Sequence, residues 1–276
     1  MARQPEAILE DQLITQLQKS GYIYTLINSE RDLISNFKAQ LEKHNNIQFS
    51  QPEFEKVLNV LSKGSVFEKA KTLREKQHIL RDNGDDLYYE FLQTEHWCQN
   101  QFQVTNQVTI EGKYKNRYDV TLLINGLPLV QIELKRKGLE LKEAFNQINR
   151  YQRHSFAASS ALFQYIQIFV ITNGVNTKYY ANNRQQSFKQ TFFWSDIENK
   201  RISMSSTSIS ISVAVSFLLY FPTYSTENFR TFSSLIASVI TYLCKHSPNN
   251  SLVVRLPSSF FIELSAKIGV PVKPNN

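Results

Sequence analysis

The chain has 276 residues, of which 42% are hydrophobic and 20% charged, the composition of an ordinary soluble globular protein. Its two cysteines, Cys98 and Cys244, are too far apart in sequence to suggest a disulfide framework, so a reducing cytoplasm is the expected compartment. The opening MARQPEAILEDQL has acidic residues where a secretion signal needs an apolar stretch, and no export is expected. The net charge of +7 favours a polyanionic partner, because lysine and arginine that replace phosphate counterions release them. Charge alone leaves open a basic soluble protein without such a partner.

The first 85 residues carry helix signals. Leu9, Leu13 and Leu17 recur at every fourth position, and Gly21 follows as a stop, which predicts a helix over residues 6–20. Three further helices are predicted over residues 30–44, 52–63 and 65–84. The last of these opens on Ser65 and Glu68, the spacing of a capping box.

From about residue 86 the pattern changes to aromatic and β-branched runs, which are typical of strands. Strands are predicted over residues 87–93, 101–111, 118–124, 127–134, 165–172 and 177–181, and a helix over residues 139–154. Asn125-Gly126 lies between two apolar runs and predicts a type I′ hairpin turn. Strands mixed with helices predict an α/β sheet that is covered on both faces.

The sequence after about residue 201 is Ser-rich, and Glu227 and Glu263 are its only acidic residues. We therefore expect three parts: a helical segment (1–85), an α/β core (86–200) and an atypical tail (201–276). The uncharged run over residues 202–221 is long enough for a membrane span, although its serines weaken transfer into lipid. We expect that the protein does not associate with membranes; a membrane-associated protein that uses this run is the alternative.

The predicted hairpin carries charged residues at one end of otherwise apolar strands. Asp119 lies early in its first strand, and Glu133 and Lys135 lie late in its second. Antiparallel pairing brings these ends together, and the two-residue period puts Glu133 and Lys135 on one face. Such charges either face solvent at a sheet edge or serve a site, because uncompensated burial is costly.

Two carboxylates and an ammonium suit phosphodiester hydrolysis. Mg²⁺ prefers carboxylate and carbonyl oxygens and keeps several waters, so Asp119, Glu133 and the Leu134 carbonyl suffice as protein ligands. Lys135 would position the nucleophile or stabilise charge on the phosphate. The Glu-x-Lys pattern is weak by itself, since it occurs four times in the chain, but only this copy lies in an apolar strand opposite an acidic residue.

The helix predicted over residues 139–154 adds two polar residues, Gln147 and Tyr151, on one helical face. They are placed to bind a phosphate or orient a metal-bound water, or they are the polar flank of an ordinary amphipathic helix. Near them lies a basic cluster that would track DNA phosphates or form a solvated face. Its members are Lys135, Arg136, Lys137, Arg150 and Arg153.

The run NRYDVTLLINGLPLVQIELKRKGLELKEAFNQINRY resembles the N-terminal nuclease domain of the restriction (R) subunit of type I restriction–modification enzymes, within the PD-(D/E)xK superfamily. That branch pairs an Asp with Glu-x-Lys on the next strand and adds Gln-x-x-x-Tyr on the next helix. Asp119, Glu133 with Lys135, and Gln147 with Tyr151 match in order and spacing.

The resemblance implies a restriction-endonuclease-like mixed sheet flanked by helices, and Mg²⁺-dependent cleavage of duplex DNA. Asp119 and Glu133 would bind Mg²⁺, Lys135 would serve the nucleophile, and Gln147 and Tyr151 would support cleavage and DNA contact. Related nucleases add a Glu from an early helix, for which Glu10 is the candidate. The implied partners are duplex DNA and the modification and specificity subunits of a type I complex.

The departures from the family also matter. The chain has no G-x-x-x-x-G-K-[ST] phosphate loop, so we expect no ATP-driven motor of its own. The Ser-rich tail stands where a linker to the motor is expected, and we interpret it as a truncated or frame-shifted end. The alternative function is a non-catalytic remnant that binds DNA or partner subunits.

Overall fold

A computed structural model of the protein describes residues 6–94, 99–111, 115–154, 162–183, 186–195 and 201. The helices within these ranges are α1 (Glu6–Lys19), α2 (Glu30–Asn45), α3 (Gln51–Ser62), α4 (Val66–Thr72) and α5 (Leu141–His154). The strands are β1 (Ile23–Tyr24), β2 (Gln77–Leu80), β3 (Asp86–Tyr89), β4 (Phe102–Glu111), β5 (Lys115–Ile124), β6 (Leu127–Leu134), β7 (Ile168–Thr172), β8 (Thr177–Ala181) and β9 (Phe192–Phe193).

A seven-stranded mixed sheet forms the centre of the structure, in the order β1-β4-β5-β6-β7-β8-β9. The pairs β1–β4 and β6–β7 are parallel, and the other pairs are antiparallel. α1 contacts β4, β5 and β6, while α5 contacts β6 and β7. All eight residues of β6 are buried, so both faces of the sheet are covered at that strand. The predicted α/β architecture, a mixed sheet flanked by helices, is confirmed.

Three N-terminal helices begin with a capping box. The serine hydroxyl accepts the backbone N–H three residues on, and the acidic side chain there accepts the serine N–H. The pairs are Ser29 with Asp32, Ser50 with Glu53, and Ser65 with Glu68. The apolar face of α2 packs against β4 of the sheet, and its Leu33, Phe37 and Leu41 are fully buried.

The prediction of one helix over residues 65–84 is correct for its first two turns and wrong for the remainder. α4 ends at Thr72, and β2 and β3 form a separate antiparallel hairpin. Asn83-Gly84 is the turn of that hairpin, with Gly84 at φ 89°, rather than the end of a helix. In β2 only Ile79 is buried, and this alternation is the signal that the helical interpretation missed.

The short strand β1 was also missed. Its two residues pair in parallel with Gln103 and Val104 of β4, each eighty positions away in the chain. Two residues carry no periodicity, so only the tertiary pairing defines this strand. It joins the N-terminal segment to the main sheet.

The tail predicted over residues 201–276 and its membrane alternative at 202–221 lie outside the described residues, apart from Arg201. Within the described part of the chain, none of the helices combines the length and the apolar character that crossing a bilayer requires.

The hairpin between β5 and β6 has the predicted type I′ turn. Asn125 and Gly126 have φ of 48° and 81°, and Ile124 pairs with Leu127. A Cβ on Gly126 would lie 2.6 Å from the Cα of Phe37 in α2, so the turn also fixes how closely α2 approaches. Glycine is required here by both the dihedral angle and the space.

We expect Gly126→Ala to lower the free energy of unfolding by about 2–4 kcal/mol. The added Cβ makes the left-handed backbone conformation unfavourable and clashes with the backbone of α2. Gly84→Ala is the matched control, since Gly84 also has positive φ but a Cβ there would meet nothing within 4 Å. That variant should lose only about 1 kcal/mol. Urea denaturation measures both, and equal losses would contradict the role assigned to the contact with α2.

Candidate active site

A one-residue bulge in β6 sets the register of the hairpin. Next to the turn, Leu123 pairs with Pro128, but the following pair is Leu122 with Val130. Leu129 is therefore an extra residue on the β6 side. Bulges of this kind kink a strand and redirect the side chains beyond them.

The bulge decides which residue lies level with Asp119. Val120 pairs with Ile132, so the next position along β6, Glu133, falls level with Asp119. Without the extra residue Val120 would pair with Gln131, and Asp119 would lie level with Ile132. Because a one-residue slip moves side chains to the opposite face, the bulge is what allows the two carboxyls to meet.

Asp119 lies where β5 and β6 stop pairing. Its Oδ2 accepts a hydrogen bond from the backbone N–H of Leu134 at 2.8 Å. The carboxylate oxygen thus takes the place of the backbone carbonyl that a neighbouring strand would offer to this N–H. Burial raises the pKa of the Asp119 carboxyl, while this hydrogen bond and the Lys135 ammonium oppose the shift. The carboxylate is thus held in a fixed direction beside β6.

Glu133 is completely buried, and neither of its carboxyl oxygens has a hydrogen-bond partner within the described residues. The Nζ of Lys135 lies 3.7 Å from its Oε1. Burial, followed by the negative charge of Asp119, raises the pKa of Glu133 well above its usual range. A buried carboxylate without hydrogen bonds is unfavourable unless a cation compensates it.

The carboxyl pair suits a hard divalent cation. Within the described residues no three His, Cys, Asp or Glu side chains are grouped as metal ligands. The two carboxyls offer oxygen ligands, which hard divalent cations prefer, and such cations complete their coordination with water. The unbonded oxygens of Glu133 are consistent with a cation at this point.

Glu10 of α1 lies near this pair but is engaged elsewhere. Its two oxygens accept hydrogen bonds from the side-chain amides of Asn106 and Gln107, each at 2.5 Å. Burial raises the pKa of Glu10, and the two amides oppose that shift. The charge of Asp119 also acts on Glu10, so the two groups are within electrostatic range.

Gln147 and Tyr151 of α5 bond to each other. The Gln147 Nε2 donates to the Tyr151 hydroxyl at 2.5 Å, and that hydroxyl donates to the Arg117 carbonyl at 3.0 Å. The Tyr151 ring packs edge-on against Tyr118, with centroids 4.8 Å apart. These contacts fasten α5 to the segment of β5 just before Asp119, so in this arrangement the pair supports the strand.

The basic residues predicted to meet DNA are mostly exposed. The Lys135 side chain is largely buried, whereas Arg136, Lys137 and Arg150 are exposed; the side chain of Arg153 lies outside the described part of the structure. The backbone N–H of Arg136 donates to Glu6 of α1 at 3.1 Å, which ties the end of β6 to that helix. Lys135 contacts Glu133 of the carboxyl pair.

Sequence reasoning missed Arg117 and the pair Asn106-Gln107. Arg117 is exposed and lies two residues before Asp119, so it extends the basic residues onto β5. Asn106 occupies an apolar position of the alternating strand β4, between Val104 and Val108, and this signal was available in the sequence.

Residues 3–188 match the family described as type I restriction enzyme R protein N terminus. The chain belongs to this family. The carboxyl pair of this R-protein N-terminal domain lies in the second half of the matched region.

Similar proteins include endonuclease subunits of type I restriction enzymes from Staphylococcus. SsaAORF53P of Staphylococcus saprophyticus and SauCOLORF180P of Staphylococcus aureus are each 46% identical over 208 residues, covering 73% of this chain and 22% of the relative. The endonuclease subunit of EcoprrI from Escherichia coli is 38% identical over 208 residues, covering 72% of this chain and 66% of the relative. The chain spans about a fifth of the length of the staphylococcal relatives.

The raised pKa of Glu133 makes the metal-free R-protein domain less stable as the pH rises. Between its unfolded and folded pKa values the native state binds more protons than the unfolded state, so the free energy of unfolding falls with pH. Glu133→Gln removes this ionisation. At pH 8, with a chelator present, we expect the variant to be more stable than the parent by about 1–2 kcal/mol, the usual size of a stabilising substitution.

The difference should shrink as the pH falls towards 4, where Glu133 is protonated in both states. Glu140→Gln is the control, because Glu140 is exposed and its substitution removes one carboxylate without changing the core. Chemical denaturation at several pH values measures the effect. A pH-independent difference for Glu133→Gln would refute a buried Glu133 carboxyl whose oxygens accept no hydrogen bond.

Proposed function

We propose that the chain is the endonuclease domain of a type I restriction–modification complex and that it cleaves duplex DNA with Mg²⁺. The observation that carries this proposal is the convergence of Asp119, Glu133 and Lys135 at the end of one hairpin, with the Glu133 oxygens unbonded. The order of these residues along β5 and β6 is that of a PD-(D/E)xK nuclease.

Asp119, Glu133 and the Leu134 carbonyl would hold the cation. When bound, Mg²⁺ polarises the scissile phosphate and lowers the pKa of a water molecule. The Lys135 ammonium, 3.7 Å from Glu133, would orient the attacking water and stabilise the charge that builds on the phosphate oxygens. Gln147 and Tyr151 would keep β5 in place while DNA binds.

The substrate would approach along the basic side of the domain. Phosphates of the duplex would contact the predicted cluster of Lys135, Arg136, Lys137, Arg150 and Arg153, and Arg117 beside it. Such contacts position DNA without reading its sequence.

Sequence recognition and DNA translocation would therefore be supplied by other parts of the complex. The modification and specificity subunits are the partners that this proposal implies, in the cytoplasm.

Cleavage tests the proposed chemistry directly. With Mg²⁺ and supercoiled plasmid, we expect Asp119→Ala or Lys135→Ala to lower the cleavage rate at least about 100-fold, because each removes a group that acts on the reacting phosphate. Lys71→Ala is the control, since Lys71 is exposed on α4 and its ion-pair partner is the exposed Glu75. Unchanged cleavage by either site variant would refute the assignment.

Cation binding separates an active site from a non-catalytic remnant, even if the chain alone cuts slowly. Titration with Mn²⁺ in place of Mg²⁺ should give a bound cation that Asp119→Ala abolishes and Lys71→Ala retains. Equal affinity in all three proteins would favour the remnant, which would bind DNA or partner subunits without cleaving.

The phosphate contacts predict a salt dependence. Replacing Arg136, Lys137 and Arg150 together by Ala should reduce the slope of log K against log salt by about 2.7, at about 0.9 per phosphate contact with B-DNA. Replacing Lys63, Lys71 and Lys76, exposed residues of the α3–β2 region, changes the net charge equally. Fluorescence anisotropy with a labelled duplex measures both, and identical slopes would show that the effect is one of net charge alone.

A further inference from the structure

Gln107 has an unusual backbone conformation. Its φ is 56°, in the left-handed region, although it lies within the ten-residue strand β4. Among the described residues, two other non-glycine residues have a positive φ: Asn46 at the end of α2 and Asn125 in the hairpin turn. Both are asparagines at points where the chain reverses, which explains them. Gln107 has neither feature.

The conformation coincides with a gap in the pairing of β4 with β5. Every residue from Phe102 to Glu111 has a partner on β5 except Gln107, whose counterpart would be Asp119. The register is the same on both sides of the gap. Asp119 also lies just beyond the last β5–β6 pair, and its carboxylate accepts the N–H of Leu134 instead. Asp119, which has no pairing partner on β4, is therefore also the residue whose side chain bonds to β6.

The side chain of Gln107 offers a reason for its backbone to stay left-handed. Its Nε2 donates to Glu10 at 2.5 Å, next to the matching bond from Asn106. Asn106 in turn accepts a hydrogen bond from the Tyr24 hydroxyl at 2.8 Å. Bonds to a charged carboxylate are stronger than neutral ones, so they can offset a strained backbone.

We propose that Gln107 is a positioning residue for the carboxyl pair. Its bond to Glu10 holds the backbone left-handed, and this opens the β4–β5 ladder so that the Asp119 side chain can bond to Leu134 beside Glu133. The inference rests on the proposed function, because it assigns Gln107 to the metal site.

Two substitutions separate the backbone effect from the loss of the amide. Gln107→Ala and Gln107→Gly both remove the bond to Glu10, but only glycine accepts a left-handed backbone without penalty. We expect alanine to return to the extended conformation, close the ladder and withdraw Asp119 from Leu134. Glycine should leave Asp119 in place.

Hydrogen exchange of the Leu134 amide, followed by NMR in the metal-free full chain, reports that bond. In Gln107→Ala it should exchange at least about tenfold faster, and in Gln107→Gly within about threefold of the parent. The Lys135 amide, bonded to the Thr172 carbonyl at 2.8 Å, is the internal reference and should not change. Unchanged exchange in Gln107→Ala, or equal acceleration in both variants, would overturn the proposal.

Mn²⁺ binding gives the second measurement. Gln107→Ala should lose at least about tenfold in affinity and Gln107→Gly less than about threefold, the scale at which supporting residues affect metal sites. If the parent and Asp119→Ala bind Mn²⁺ alike, the proposed function fails, while the Leu134 exchange still decides the role of Gln107. If the alanine and glycine variants lower the Mn²⁺ affinity equally, the backbone conformation of Gln107 has no part in positioning Asp119.

Discussion

The hydrogen bond from the Leu134 amide to Asp119 is the interaction on which the candidate site depends. It forms where β5 and β6 stop pairing, so a carboxylate replaces a backbone acceptor at the end of the ladder. This fixes Asp119 beside Glu133, whose own carboxyl is buried without a hydrogen bond from the described residues. Two acidic groups held this closely repel when both ionise, and Lys135 relieves that repulsion only in part. Under the proposed function, a bound cation would relieve the rest.

Two irregularities of the sheet create this arrangement. The extra residue Leu129 shifts β6 by one position, and Asp119 is left out of the β4–β5 ladder opposite the left-handed Gln107. A regular sheet would have placed Asp119 level with Ile132 and paired it with β4. Irregular strands are common beside active sites because a perfect ladder leaves no side chain free to turn towards a ligand.

The elements around the site act on β5 from several directions. Tyr151 of α5 bonds to β5 just before Asp119, and Glu10 of α1 bonds to β4 directly opposite. Arg136 at the end of β6 is tied to Glu6 of the same α1. Groups so far apart in sequence fix one short stretch of strand, which is how a sheet can hold charged residues in an otherwise apolar interior.

The sequence by itself determined the local elements and the ingredients of the site. Alternating and apolar runs placed β4 to β8, Asn125-Gly126 fixed the hairpin turn, and the order of Asp119, Glu133 and Lys135 indicated the chemistry. Local pattern failed after Thr72, where a hairpin turn was interpreted as a helix end. Only the tertiary structure decided the register of the hairpin, the pairing of β1 and the contact of Glu10 with Gln107. The reason is physical: a bulge, a two-residue strand and a strained backbone are stabilised by distant partners, and nearby residues do not encode them.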